Sequence, residues 1–234
     1  MFKQRTTTTL LLIVFFQALV IAQNPYFGVK AGANFSRMVL KDNDGTQTKF
    51  FNFSPGFNVG LTMDYRIIPE LTVNASLLLS SKGYSERRVE DFQGVSVKSL
   101  EAAQLFYIDL PIYAKHEFDL GVIDLFAGAG GFVSYGYWGK YRWRREAEGE
   151  SEWGKQDINW GSDPDLHDFK NLDYGVSLNG GVKFDQFVLD FGYNFSLANI
   201  AANDDNGQEA RNRVIYVSLN YFFSSFYKYA EGNF

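Results

Sequence analysis

Cysteine is absent from this 234-residue chain, which excludes disulfide staples, thiolate catalysis, cysteine-ligated metal and the lipid-acceptor cysteine of a lipoprotein. Histidine is scarce, with His116 and His167 only. Long apolar runs are missing too: nothing inside the chain reaches the ~18 residues that a membrane helix requires. Basic residues are outnumbered, 22 Lys plus Arg against 27 Asp plus Glu, for a formal net charge of -5. Nucleic acid, which calls for a basic surface, is therefore not an expected partner.

Aromatic residues and glycine are plentiful instead. Phe, Trp and Tyr make up 18% of the chain and glycine occurs 22 times, yet mean hydropathy is only -0.20. A chain this aromatic and still mildly hydrophilic has to alternate its apolar residues. The stretch from Leu172 to Ile200 shows the pattern most plainly. Tyr174, Val176, Leu178, Val182 and Phe184 occupy one face, with Asp173, Ser177, Asn179 and Lys183 on the other. After Asp185 and Gln186 the alternation resumes, Phe187, Leu189, Phe191, Tyr193, Phe195 and Leu197 against Asp190, Gly192, Asn194 and Ser196. This is a period-2 hairpin with sides of about eleven residues, the height of a tilted strand that crosses a bilayer.

The amino terminus reads differently. Lys3 and Arg5 precede an apolar run from Leu10 to Val20, and Val20-Ile21-Ala22 stands before Gln23. A charged start, a short apolar core and a small residue at the cut form a secretory signal peptide over 1–22. The barrel domain is then 23–234, and loss of Lys3 and Arg5 makes it more acidic still.

Taken in order, the domain repeats the alternation. A first strand carries Phe27, Val29, Ala31, Ala33 and Phe35 on its apolar face and ends at the polar loop Lys41-Asp42-Asn43-Asp44-Gly45. A second runs through Phe57, Val59, Leu61, Met63 and Tyr65 to a turn at Pro69. The third, Leu71 to Ser80, leads into a polar segment from Glu86 to Ser99. A fourth pairs Phe106, Ile108, Leu110 and Ile112 with Tyr107, Asp109, Pro111 and Tyr113; Pro111 is a weak point there, tolerable at a bulge or near an end. The fifth, Leu125 to Tyr137, precedes a long polar segment from about Tyr141 to Asn171. The hairpin supplies strands six and seven, Asn203-Asp204-Asp205-Asn206-Gly207 is a loop, and Ile215 to Phe223 is the eighth strand.

Connections are long after strands one, three, five and seven and short after two, four and six. Such asymmetry belongs to transmembrane barrels, with long loops outside and tight turns in the periplasm. Volume settles which face meets solvent, since an eight-stranded barrel is just filled by modest side chains. The apolar set is too bulky for the interior; the Gly, Ser and Asn set fits. The predicted fold is all-β: an eight-stranded antiparallel up-and-down transmembrane β-barrel in the bacterial outer membrane.

Three stretches carry a family resemblance: Gly28-Val29-Lys30-Ala31-Gly32-Ala33-Asn34-Phe35-Ser36, Leu77-Leu78-Leu79-Ser80-Ser81-Lys82-Gly83-Tyr84 and Phe106-Tyr107-Ile108-Asp109-Leu110-Pro111. They resemble the PorT-like outer-membrane β-barrel family of Gram-negative bacteria over essentially the whole mature chain. The resemblance implies the eight-stranded fold and no catalytic residues, and some members of that family serve in protein secretion. One departure is the tail 223–234, because barrels of this kind usually stop at a terminal aromatic residue.

Candidate chemistry is thin. His116 falls at the short-turn end, the wrong side for outer-leaflet lipid, and His167 sits in a long loop among turn-forming residues without a G-x-S-x-G nucleophile. Neither acidic loop has the ligand spacing of a calcium site. No metal, cofactor or enzymatic activity is expected. Two features remain. An inward set of charges, Lys30, Asp64, Arg66, Asp109, Lys115, Asp124, Lys183 and Asp190, has four of each sign, which predicts pairing inside a narrow barrel because an unpaired buried charge is costly. Trp138, Tyr141, Arg142, Trp143, Arg144, Arg145, Trp153 and Trp160 crowd the third long loop, where Glu148-Gly149-Glu150 is the expected tip of a projecting hairpin with Arg145 facing Glu152 across it.

Aromatic and Arg residues dominate interface centres, so this loop is the candidate interaction site. An aromatic girdle with arginines on lipopolysaccharide phosphates is the open alternative. Expected partners are outer-membrane lipid, lipopolysaccharide and other outer-membrane or secretion-system proteins. The leading functional reading is a non-enzymatic barrel acting through its loops; a small-solute porin and an outer-leaflet lipid enzyme are the rivals.

Overall fold

The computed structural model describes residues 25–42, 45–46, 51–92, 95–147 and 150–226. The signal-peptide expectation, Asn43-Asp44 and Glu148-Gly149 lie outside the described residues. The strands are β1 Tyr26–Asp42, β2 Gly45–Thr46, β3 Phe51–Asn52, β4 Ser54–Ile68, β5 Leu71–Phe92, β6 Val95–Asp119, β7 Asp124–Ala147, β8 Glu150–Asp157, β9 Leu172–Phe184, β10 Phe187–Ser196 and β11 Glu209–Phe222. Eight of them make an antiparallel ring in the order β1, β4, β5, β6, β7, β9, β10, β11. The ring closes where β11 pairs β1, from Gly28↔Phe222 to Lys41↔Glu209.

Facing follows the alternation. Phe27, Leu61, Leu77, Leu178 and Leu189 point outward and are exposed, while Lys30, Asn34, Asn58, Ser76, Ser80, Asn220 and their polar neighbours are buried in the lumen. Interior groups bond across strands: Asn58 donates to the Asn34 side-chain carbonyl at 2.8 Å, and the Ser218 hydroxyl donates to Asn58 at 3.0 Å. The lumen is thus a polar core, and the apolar wall is the surface that hydrocarbon covers.

Three details differ from the sequence-based expectation. The polar segment 86–99 is not a loop; β5 and β6 continue as one hairpin to the pair Phe92↔Val95. Polar alternation is what a strand looks like once both of its faces meet water. Second, the β6–β7 register shifts between Phe106 and Tyr107, which pair with Trp138 and Gly136. The extra residue, Tyr137, is a bulge that turns every later side chain of β7 to the other face. Tyr137 and Trp138 are both outward, 47% and 42% exposed, and beyond them Tyr141 lies on the lumen side, bonded to Glu101. Third, Pro111 stands in the middle of β6. The β5–β6 ladder lapses between Ala75↔Ile112 and Leu78↔Asp109 with its register unchanged, as a residue without an N–H requires.

Both ends of the lumen are stoppered. At the mouth, the segment after β8 folds inward: the Ile158 N–H donates to the Gly139 carbonyl at 3.0 Å and the Gly136 N–H to the Asn171 carbonyl at 2.7 Å. Ile158 and Ile200 pack on Met38, Leu105 and Tyr107, with Trp160 beside them. Gly136 allows this, because a Cβ there would come within 2.2 Å of the Trp160 ring. At the periplasmic end the tail turns back after Phe223. Phe226 is buried against Phe222, Phe126 and Val188, with its ring 4.6 Å from that of Tyr26.

Facing can be tested by arginine. Leu189→Arg, on the lipid wall between Val182 and Leu219, is expected to cost about 2–4 kcal/mol in a bilayer, measured by denaturant unfolding in vesicles. Gly192→Arg should prevent assembly, since even a Cβ there meets the Leu178 carbonyl at 2.5 Å and the Tyr216 hydroxyl at 2.6 Å. An unchanged Leu189→Arg barrel would mean that the wall faces elsewhere.

Candidate functional site

Seven of the eight inward charges form ion pairs, though not only with one another. Lys30 Nζ donates to Asp190 at 2.5 Å and Lys115 Nζ to Asp64 at 3.2 Å. Asp109 instead takes Lys82 at 2.9 Å, with the Ser80 hydroxyl at 2.6 Å. Glu117 takes both Lys183, at 2.5 Å, and Arg66, at 3.3 Å. Asp124, the eighth, stands opposite Lys183 in the β7–β9 register but forms no ion pair among the described residues, because Glu117 holds that ammonium. Higher up, Asp173 accepts from Asn212 at 2.9 Å and from the Ser196 hydroxyl. Sequence reasoning missed Lys82, Glu117 and Asp173 as members of this network. Lys82 and Glu117 lie one alternation step beyond Ser80 and Lys115, so carrying each strand two residues further would have found them.

Aromatic rings occupy the remaining space. Lys82 lies over Tyr107 and Phe132, Lys30 over Tyr216 and Lys183 over Phe226. Between the stoppers, the lumen cavity lined by Lys30, Asn34, Lys82, Asp109 and Tyr216 measures about 20 Å³, room for roughly one water.

The eight loop residues do not converge. Trp160 belongs to the mouth stopper, edge-on to Tyr107 at 5.5 Å between centroids. Trp138 sits at the outer rim beside Phe106, 4.6 Å away, with Lys140 over its ring. The others stand on a sheet that rises from the rim, built from the upper parts of β5, β6 and β7 with β8. Arg145 pairs with Glu152 in this sheet, the register expected of a projecting hairpin.

Alternation divides the sheet into two unlike faces. On the lumen side, Tyr84, Glu86, Arg88 and Glu90 of β5 align with Glu101 and Ala103 of β6, Tyr141, Trp143 and Arg145 of β7 and Glu150 and Glu152 of β8. The Tyr141 hydroxyl donates to Glu101 at 2.6 Å and Arg88 bonds Glu86. Burial, then the nearby charges of Glu101 and Glu86, push the Tyr84 hydroxyl up to about 12; burial and the bond to Glu101 raise that of Tyr141. Five glutamates, Glu86, Glu90, Glu101, Glu150 and Glu152, against Arg88 and Arg145 make this face acidic.

The opposite face continues the lipid-facing wall upward. It carries Arg87, Lys98, Lys140, Arg142, Arg144 and Lys155 against Asp91, Glu146 and Asp157, with Leu100, Val89 and Trp153 among them. Trp153 is 70% exposed. Among the described residues, Arg87, Lys98, Arg142 and Lys155 form no ion pair; Arg144 has Glu146 at 3.9 Å and the Ser151 hydroxyl at 3.1 Å.

Both histidines have local partners. His116 is outward on β6, edge-on to Phe118. His167 completes a local turn in which the Asp163 N–H donates to its Nδ1 at 3.1 Å, and its ring lies where a Cβ of Gly161 would stand.

The sequence matches the family described as outer membrane protein beta-barrel domain over residues 21–202. No curated protein matches it. Among solved structures, the attachment invasion locus protein Ail of Yersinia pestis is 14% identical, over 86% of this chain and 100% of that one, with a TM-score of 0.37. Neisserial surface protein A has the same identity and coverage and a TM-score of 0.38. The outer membrane protease OmpT of Escherichia coli is 8% identical over 87% of this chain and 98% of its own, with a TM-score of 0.27.

The buried pairs make a stability prediction. Lys30→Met leaves Asp190 without its cation and is expected to cost about 3–5 kcal/mol, whereas Lys30→Met with Asp190→Leu removes both charges and should recover most of it. Urea unfolding in vesicles, followed by tryptophan fluorescence, measures both. Equal losses in the single and double variants would rule out pairing as the reason these charges are tolerated.

Proposed function

Because the chain belongs to the outer membrane protein beta-barrel domain family and resides in the bacterial outer membrane, we propose that it is a closed, non-enzymatic anchor whose working part is the projecting sheet. The carrying observation is the contrast between its two halves. The lumen is filled by paired charges and shut by Trp160 and Ile158 above and Phe226 below, while β5 to β8 rise from the rim and, beyond the buried Glu86 and Ala103, expose residues on both faces and leave the far edge of β8 unpaired.

Such a barrel holds its sheet in place, and the sheet meets other molecules. Its lumen-side face offers acidic and aromatic groups, and its free edge offers unpaired backbone, both established means of protein recognition. The PorT-like resemblance suggests a more specific role, a component associated with protein secretion across the outer membrane. Absence of an enzymatic role is favoured by the isolation of His167 in its turn. On this reading residues 1–22 are the export signal, and protein taken from outer membranes is expected to begin at Gln23 on N-terminal sequencing; retained Met1 would refute that.

Two measurements test the reading. In planar bilayers the protein is expected to give no stable single-channel steps, and reproducible ion-selective steps would put a small-solute porin first. Replacing residues 142–155 with a short Gly-Ser linker leaves Tyr141 beside Gln156 and keeps Ile158 and Trp160 in the mouth. The barrel should still assemble, judged by heat-modifiable gel migration, and should lose the proteins that co-purify with the intact chain in mild detergent. A variant that keeps every partner would eliminate the sheet as the working part.

A further inference from the structure

The periplasmic end of the barrel gathers carboxylates that the lumen network does not use. A recess of about 250 Å³ opens there between Arg66, Glu70, Glu117, Asp119, Asp124 and Phe226. Glu117 holds Lys183 at 2.5 Å and Arg66 at 3.3 Å. Among the described residues no cation pairs with Glu70, Asp119 or Asp124. Asp119 and Asp124 are the last register pair of β6 and β7 and stand directly opposite each other, an arrangement in which like charges weaken a ladder. Asp119 has one oxygen on the Gly121 N–H at 2.7 Å. Asp124 is only 8% exposed, lines the recess, and among the described residues has neither a hydrogen bond nor an ion pair, since Lys183 across the ladder is drawn to Glu117. A buried carboxylate without a partner is costly, and facing a second carboxylate adds to the cost. A cation entering from the periplasm relieves both.

The walls of the recess select the kind of cation. Among the described residues no three acidic or histidine side chains are arranged to hold a metal ion. A hard divalent cation is bound through oxygen ligands, whereas Pro69 and Phe226 form part of this wall. The Phe226 ring is fixed by its packing on Phe222 and Tyr26. Carboxylates on one side and an apolar wall on the other suit a compact charge carried on a hydrocarbon stem. An ammonium has three donors, enough for oxygens of Asp124, Asp119 and Glu70, and its methylene stem gains by lying along apolar surface.

We propose that this recess binds an alkylammonium group presented from the periplasm, with Asp124 as its principal carboxylate, Asp119 beside it and Phe226 against the stem. That chemistry is shared by a lysine side chain on a periplasmic protein and by a free diamine. The site lies at the opposite end of the molecule from the projecting sheet and does not depend on the function proposed for that sheet.

The test uses the full-length chain refolded in detergent micelles, with the amide chemical shifts of residues 119–124 followed during titration. The probes are cadaverine, the peptide acetyl-Ala-Lys-Ala-amide, pentanol as an uncharged stem, and magnesium chloride. Cadaverine and the peptide are expected to give saturable shifts, and the double variant D119N/D124N to weaken both by at least about tenfold. Glu152→Gln, in the projecting sheet, should leave them unchanged. Because asparagine removes the opposed charges, the Asp124→Asn barrel without probe is expected to unfold at a higher urea concentration than the natural one, a readout that also shows the variant to be folded. Tighter binding of the peptide would identify a protein's lysine as the natural source and tighter binding of cadaverine a free diamine; either order supports the site. No saturable shift, equal affinity in the folded double variant, or equal binding of pentanol would overturn the proposal. Displacement of cadaverine by equimolar magnesium would make this a metal site and overturn it as stated. Lys228 lies outside the described residues, and a Lys228→Gln chain that binds cadaverine where the natural chain does not would overturn an external ligand, the protein's own lysine then being the occupant. A lower urea midpoint for Asp124→Asn would mean that the carboxylate already has a partner within the barrel, and would likewise overturn it.

Discussion

The ladder between β11 and β1 is the constraint on which the rest depends. Within hydrocarbon no water can satisfy a free N–H or C=O, so a spanning sheet must close on itself. Closure with eight strands leaves an interior wide enough for side chains and little else. Everything inside must therefore be small, or paired with a neighbour. Gly32 and Gly60 lie so close to facing backbone that a Cβ would meet a carbonyl within 2.3 Å, and the long cations each reach a carboxylate. Pairing is less a source of stability than the condition for keeping charges there at all.

A filled lumen moves function to the ends and the outside. Both stoppers are apolar and use aromatic residues, Trp160 against Tyr107 above, Phe226 against Tyr26 below. They enclose the charged network in a low-dielectric space, which strengthens each pair. The tail after Phe223 thereby has a structural role for its first residues: Phe226 covers Lys183, whose ammonium lies 4.1 Å from the ring centre.

The projecting sheet obeys a different rule. Beyond the mouth packing both faces meet water, so the lipid requirement for apolar residues ends while the ladder continues. Charge then sorts by face. The bulge at Tyr137 takes part in this sorting: without it, Tyr141, Trp143 and Arg145 would stand with the lipid-side cations, and Arg142 and Arg144 with Glu101. One inserted residue decides which side of the sheet is basic.

Much of the architecture was legible in the residues, because the period-2 pattern, the count of eight strands and the sum of side-chain volumes are local or additive properties. From these follow the barrel, its outward apolar wall and the inward charges. The pairing choices were not legible: Asp109 could meet any inward cation, and only the stagger of the closed ring brings Lys82 to it and leaves Lys183 for Glu117. Nor could the sequence locate the Tyr137 bulge, since Tyr137 and Trp138 are equally suited to an outward place and alternation alone continues through them. The crowding of four tryptophans pointed to one loop site, but register and packing place one at the rim, one in the mouth and the other two on opposite faces of the sheet. By itself the sequence determined the fold and the membrane, because burial against lipid depends on each residue's own chemistry. Tertiary structure alone decided which charges meet and which face each loop residue shares, because those depend on neighbours far apart along the chain.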